Sequence, residues 1–479
     1  MRVGAIIVCS SLFAACGGDS ERLPLPQVTS FGGPIMAHPQ LVPIFYNDDP
    51  DATTLTSFSR WLVTSDWLAE VGTEYGVGPG SVLGTVQLPM PAPTSITDAQ
   101  VVDMVFQGVT SGSLPRPADG NLGDVLYVLH LPAQTVETAG DESSCVDFGG
   151  YHGAARRNGV ELSYAVIATC PQNHRGLTNA EFRELVLSHE LIEAATDPLP
   201  GNHPAYVLND RTSPWSSTGG EVGDLCELSG QQVWRDSGYV VQRSWSNIAA
   251  ESGDPCVPVP ANTVYFNLKV GGMFPPRIPA GGHQTVQITG WSTGKMADWT
   301  VEAAPARSGE VTLALGATQL NAGKTTTLDV AFPATAQPGD IALFYLFSVL
   351  PDQKTYEVLP MRAIVGAPCA SFTGCQACTS QPGCGFCATT GRCENIGASG
   401  SADSSCPAAS FAQGLGDCPG YCAAHNGSCV DCASQPGCGW CDAGAASQCV
   451  SVDHKTLLPA NNACSYASWD LTPDYCPMP

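Results

Sequence analysis

LSHELIEAATDP, residues 187–198, is the stretch on which the reading of this chain turns. His189 and Glu193 stand four apart in a run that reads as helix, so both side chains fall on one face. An imidazole and a carboxylate presented together are two candidate ligands for a zinc ion. Glu190 follows the histidine directly, where a metal-assisted hydrolase keeps the general base that deprotonates water. The pattern is H-E-x-x-E, with a carboxylate where the more familiar zinc helix H-E-x-x-H has its second imidazole. Thr178 or Asn179 can cap the helix, with Glu181 placed to complete a capping box, and Pro198 stops it. Phe182, Val186, His189 and Glu193 trace one stripe, which Leu185 and Ile192 widen. A buried carboxylate on such a stripe is costly unless it is paired or metal-bound. The bland alternative is a His189–Glu193 hydrogen bond in a half-exposed groove.

Outward from this helix, residues 32–258 read as one α/β or α+β unit. Strands are expected at 40–46, at DVLYVLHL (124–131) and at 162–168, and helices at 57–71 and 98–108. The GGPIM turn (32–36) is a candidate for presenting backbone N–H groups to the site.

A catalytic zinc needs a third protein ligand and an open position. Asp224, in the Gly-rich loop GGEVGDLCE (219–227), is the first candidate because Cys226 can pin that loop; Glu221 and Asp197 are rivals. His152, in a Gly-Gly-Tyr-His-Gly turn, is a candidate ligand or a catalytic group polarising the substrate carbonyl, and His203 is a further imidazole. With His189, Glu193 and Asp224 as the set, two carboxylates neutralise the ion and temper its power to acidify water. Such an oxygen-rich site also admits calcium as the alternative ion.

Residues 261–366 change character. Seven short β-prone segments separated by Gly, Pro, Asn and Asp turns make an immunoglobulin-like β-sandwich, with no charged cluster that points to catalysis. The last stretch is an internal repeat, 369–418 and 422–476, whose cores share SQPGCGFC and SQPGCGWC. Each unit holds eight cysteines, and units this small depend on disulfides in place of an apolar core. Phe386 and Trp440, set between cysteines, read as packing residues.

The amino terminus reads as a lipoprotein signal peptide over 1–15, with Cys16 as the lipidated residue and 16–31 as anchor and tether. That predicts export to the outer membrane or cell surface, with plain secretion as the alternative. Twenty-two cysteines agree with an oxidising compartment. With Cys9 in the signal and Cys16 as the anchor set aside, the four outside the repeats are expected to pair Cys145–Cys170 and Cys226–Cys256, each worth ~2–4 kcal/mol. The formal net charge of −24 excludes nucleic acid as a partner, because no basic tract could neutralise phosphates. The expected partners are an extracellular protein or peptide, or a polysaccharide, with membrane contact through the lipid anchor alone.

GGPIM, the Cys145-to-Gly153 element ending in YHG, YAVIATCP (164–171), SHELIEAATDP (188–198) and GGEVGDLCE together resemble the phosphate-induced, exordium-like family of exported proteins. The same region is similar to bacterial zincin-like proteins with an HExxEAxTDP helix. The cysteine-rich repeats resemble plexin–semaphorin–integrin (PSI) domains, which orient neighbouring domains. These resemblances imply a multidomain chain: an α/β or α+β zincin-like unit, a sandwich and two disulfide-rich modules. They leave two functional expectations, a surface zinc metallopeptidase using Glu190 and a non-catalytic binding or envelope protein with a calcium-stabilised or degenerate site.

Overall fold

Every residue of the strand Val125–Leu131 is buried, so both faces of the sheet it belongs to must be covered. The computed structural model describes residues 23–157, 159–171, 176–397, 400–402, 406–465 and 468–476. The proposed signal peptide and Cys16 lie outside the described residues.

In the first unit, strands β1 (Gln40–Phe45), β2 (Val125–Leu131) and β4 (Val160–Ala168) run parallel, in the order β1-β2-β4. The edge strand β3 (Gly150–Arg157) lies antiparallel on β4, with His152 opposite Ala165. Helix α3 (Asp98–Ser111) covers one face through Val101, Val105 and Val109. The other face is covered by α1 (Ala52–Leu62), α2 (Asp66–Gly72) and α4 (Asn179–Thr196). Thr178 caps α4 in the expected box, accepting from the Glu181 N–H while the Glu181 carboxylate accepts from the Thr178 N–H.

The single helix expected over 57–71 is two. Ser65 opens the second by accepting the Leu68 N–H, and the break turns Trp67 inward, where its Nε1–H donates to the Gln242 carbonyl at 2.9 Å. The part of the expected tether that the structure describes packs on the unit. Leu25, Val28 and Phe31 are buried, Asn247 clasps the Val28 backbone, and Thr29–Ser30 pairs with Tyr206–Val207.

The sandwich has two sheets. One orders β7 (Phe266–Gly271), β9 (His283–Ser292), β13 (Thr325–Ala331) and β11 (Thr312–Leu315); the other orders β8 (Arg277–Ile278), β15 (Tyr356–Val365), β14 (Ile341–Val349), β10 (Trp299–Pro305) and β12 (Gln319–Leu320). The numbers β5 and β6 belong to the hairpin Val233–Asp236 and Tyr239–Gln242 of the first unit. Ile288, Leu328 and Val330 of the first sheet pack with Trp299, Phe344 and Met361 of the second, and this core continues into that of the first unit. Ser229 and Gly230 tie the two units to Glu357 and Tyr356 of β15.

Each cysteine-rich repeat closes itself, and both with one connectivity. The first pairs Cys369–Cys384, Cys375–Cys418, Cys378–Cys393 and Cys387–Cys406; the second pairs Cys422–Cys438, Cys429–Cys476, Cys432–Cys449 and Cys441–Cys464. Phe386 and Trp440 pack on the buried sulfurs. The second repeat sits on the first unit, where Arg156 bonds the Asp470 carboxylate and the Tyr475 carbonyl.

What seats α4 on the sheet is a buried ion pair. Arg183 is fully enclosed and donates to both oxygens of Asp49 at 2.9 and 2.6 Å, with Asp51 3.5 Å away. Removing one partner of such a pair leaves an uncompensated charge inside the protein. Asp49→Ala is therefore expected to destabilise the first unit by ~3–5 kcal/mol, read as a lower denaturant midpoint by tryptophan fluorescence.

Candidate metal centre

The C-terminal half of α4 carries His189, Glu190 and Glu193 toward two neighbouring elements, each held against it for a stated reason. The β6 strand lies along α4 because helix side chains satisfy its backbone. Glu184 accepts the Val240 N–H at 2.9 Å, and Ser188 accepts the Gln242 N–H at 2.8 Å. Burial pushes the Glu184 carboxyl up to about 7. The loop 219–227 arrives on the other side, pinned by the Cys226–Cys256 disulfide and by the Trp245 N–H on the Val222 carbonyl. The Cys145–Cys170 disulfide anchors the segment that leads into β3.

Glycines make these approaches possible. A Cβ at Gly223 would stand 2.6 Å from Glu193 Oε1 and 2.8 Å from His189 Nδ1, and one at Gly219 would strike the Asp224 carboxylate. At Gly150 it would meet Val186 at 2.5 Å, so β3 could not lie this close to α4.

Around His189 the proton is placed by its neighbours. The Gln242 amide donates from Nε2 to the Gly223 carbonyl at 2.8 Å, which turns its Oε1 toward His189 Nδ1 at 3.1 Å. Nδ1 therefore carries the hydrogen. Nε2 faces Glu193 Oε2 at 3.2 Å and Asp224 Oδ1 at 3.9 Å. His152 is arranged the same way in mirror sense. Its Nε2 donates to the Asp197 carbonyl at 3.2 Å, and its Nδ1 faces Glu190 and Glu193 at 3.6 and 3.7 Å. Glu221 lies 3.4 Å from His152 Nε2. The Asp224 N–H closes the arrangement on Glu193 Oε1 at 2.8 Å.

Charge is crowded here. Burial pushes the Glu193 carboxyl up, and it pushes Asp224 well above its ordinary range with Glu193 adding to the effect. Burial opposes charge on both histidines, but Glu193, Glu190 and Asp224 around His189, and Glu221, Glu190 and Glu193 around His152, hold both pKa values well above normal.

With Nδ1 already donating, Nε2 of His189 either carries a second proton toward these carboxylates, as its raised pKa favours, or offers a lone pair. A divalent cation would take the place of that second proton. Donors about 2.1 Å from a tetrahedral zinc sit roughly 3.4 Å from one another, a spacing the distances from His189 to Glu193 and Asp224 bracket. Two triads of donor atoms, His189–Glu193–Asp224 and His152–Glu190–Glu193, share Glu193. The cysteine-containing groups of similar geometry belong to disulfides.

A cleft of about 610 Å³ opens on His189, Glu190 and Asp224, with Phe148, Phe182, Leu185 and Val186 as an apolar wall. His152 is not part of that wall. Its side chain, 3% exposed, stands behind Glu190 and Glu193, where it supports them instead of meeting a substrate carbonyl. Asp197 accepts the Ala205 N–H and closes the end of α4, with burial pushing its carboxyl up to about 7. His203 Nε2 bonds the Trp469 carbonyl of the second repeat. The N–H groups of the GGPIM turn are spent on the chain itself, Gly33 on Pro204 and Met36 on Ala195. Gln242 had no signal in the sequence, whereas the glycines flanking Asp224 were visible.

No protein-family model and no curated protein matches the chain, and the exordium-like and zincin-like resemblances find no support there. Among solved structures, domains 4 and 5 of the S-layer protein SbsC align at 12% identity over 22% of this chain and 54% of that one, with a TM-score of 0.18. WR4, a C. elegans MSP family member, aligns at 12% identity over 21% and 97% of the two chains with a TM-score of 0.16. A FixG-related protein from Vibrio parahaemolyticus aligns at 8% over 22% and 97% with a TM-score of 0.17. Likenesses this slight carry no argument about the fold or the site. The ten disulfides by themselves belong to an oxidising, extracytoplasmic setting. Among the described residues no helix is long and apolar enough to cross a membrane.

Gln242 orients His189 from outside the donor set. Gln242→Ala is expected to weaken zinc binding by about 10–100-fold with the fold retained, measured by competition with a chromophoric chelator.

Proposed function

We propose that the protein is an exported zinc-dependent hydrolase acting on peptide bonds, with the ion held by His189, Glu193 and Asp224. The observation that carries this reading is the orientation of His189. Gln242 holds its Nδ1–H, so Nε2 is turned on the buried Glu193 and on Asp224, which lines an open cleft together with His189. Imidazole among the donors favours zinc over calcium, which takes six to eight oxygens. When bound, zinc supplies a Lewis acid that lowers the pKa of water and polarises a carbonyl.

The rest falls to residues of the chain. Glu190 is on the cleft wall next to His189, placed to accept a proton from the attacking water and return it to the leaving amine. His152 Nδ1, 3.6 Å from Glu190, steadies that carboxylate when the imidazole is protonated. Phe148, Phe182, Leu185 and Val186 offer an apolar surface to a substrate side chain. Two carboxylate ligands leave the ion less electrophilic than an imidazole set would, so turnover is expected to be slow. The zincin-like resemblance of 32–258 supports this reading. The lipobox-like sequence at Cys16 supports anchoring at the outer surface, with a protein or peptide outside the cell as substrate.

Elemental mass spectrometry is expected to find close to one zinc per chain, and almost none in His189→Ala. Glu190→Gln is expected to keep the zinc and lose casein hydrolysis by about 10²–10⁴-fold. Zinc retained with no hydrolysis in the parent would leave the ion as a staple between α4 and the 219–227 loop, in a non-catalytic surface protein. No zinc in a folded parent would end the hydrolase reading.

A further inference from the structure

A second cavity, of about 460 Å³, lies where the first unit, the sandwich and the first repeat meet, away from the candidate metal ligands. Arg211 from the first unit and Arg277 and Arg362 from the sandwich line it, with Pro382 and Ile396 from the repeat. The whole chain has 20 Lys and Arg against 44 Asp and Glu, yet no Asp or Glu is among the lining residues. Three of the scarce cations therefore gather in one pocket with no acid to match them.

Their hydrogen bonds go to neutral oxygens. Arg277 donates from Nε to the Ala367 carbonyl at 3.2 Å and from Nη1 to the Pro382 carbonyl. Arg362 donates from Nη2 to the Arg211 carbonyl at 2.8 Å and from Nη1 to the Ser216 carbonyl, with Phe274 beneath its guanidinium at 5.5 Å. Asp210, whose charge acts on Arg362, accepts the N–H and hydroxyl of Thr212 at its Oδ1. Burial pushes the pKa of Arg277 and of Arg362 down; Arg211 adds to the effect at Arg362 and Asp210 opposes it.

Two further donors decide the matter. Arg277 Nη2 and Ser217 Oγ belong to side chains that line the cavity, both are buried, and neither has a hydrogen-bond partner. Clasping three units together accounts for the carbonyl bonds, which uncharged amides would make as well. It does not account for two unspent buried donors and a triple like charge. We infer that this pocket is a binding site for an oxyanion group, a sulfate, phosphate or carboxylate, received by Arg211, Arg277, Arg362 and Ser217. The guanidinium fork matches that geometry, and the apolar Phe274, Ile341 and Leu343 leave room for the body of a small molecule carrying the group.

The test is calorimetric titration of the folded, disulfide-intact chain with sodium sulfate and with sodium succinate at low ionic strength, against matched sodium chloride. Saturable binding near one anion per chain is expected for at least one of the two. Arg211→Gln, at an exposed guanidinium, is expected to weaken it at least about tenfold with an unchanged Tm. Preference for sulfate identifies a tetrahedral group and preference for succinate a carboxylate, and either supports the site. Arg362→Gln checks the same loss from the sandwich side, with circular dichroism confirming its fold. Binding of neither anion, or binding that Arg211→Gln leaves intact, overturns the inference. Because the readout needs no hydrolysis, its failure is separate from failure of the metal centre.

Discussion

The crowding of carboxylates against two imidazoles at the C-terminal half of α4 is the constraint around which the first unit is organised. Glu190, Glu193, Glu221 and Asp224 cannot share so small a buried volume without a compensating charge. Two protonated histidines supply part of it, and a divalent ion supplies it more completely. Each nearby element helps to keep the donors pointing at one another, which is the expensive arrangement and hence the informative one. The surroundings are built for it. The β6 backbone is satisfied by Glu184 and Ser188 of α4, and Gly219 and Gly223 yield the space that the carboxylates occupy.

The same logic explains how α4 is held. Arg183 is spent on Asp49 in the turn between β1 and α1, the Met36 N–H reaches the Ala195 carbonyl near the far end, and Asp197 closes that end through Ala205. A helix held at both ends and along one side keeps its polar residues in a fixed orientation. That is what a metal site or a general base requires.

The accessory units are not strung out as beads. The sandwich shares the apolar core of the first unit, and the second repeat binds it through Arg156, Asn202 and His203. Each repeat is rigid in itself, since four disulfides with one connectivity replace a core that so few residues cannot form. Rigid modules locked to a first unit create cavities at the seams. The arginine-lined pocket is one of them, and it owes its charge to residues that lie far apart in the chain.

The sequence by itself determined the local structure that short-range physics governs: the capped helix with His189 and Glu193 on one face, the buried strand 125–131, a β-sandwich read as seven segments where the structure has nine strands, and the repeat of eight cysteines. Periodicity, capping and cysteine spacing are properties of neighbouring residues, so they were readable without a fold. The same spacing brought Asp224 forward as a partner for α4, because its flanking glycines and Cys226 were visible signals. Only the tertiary structure decided what depends on contacts between distant segments. It placed His152 behind the carboxylates and turned His203 and Asp197 to structural tasks. It also buried Leu25, Val28 and Phe31 against the first unit and recruited Gln242 to set the His189 tautomer. The ring orientation of an imidazole is fixed by whichever oxygen reaches its other nitrogen, and in this protein that oxygen comes from a strand 53 residues away.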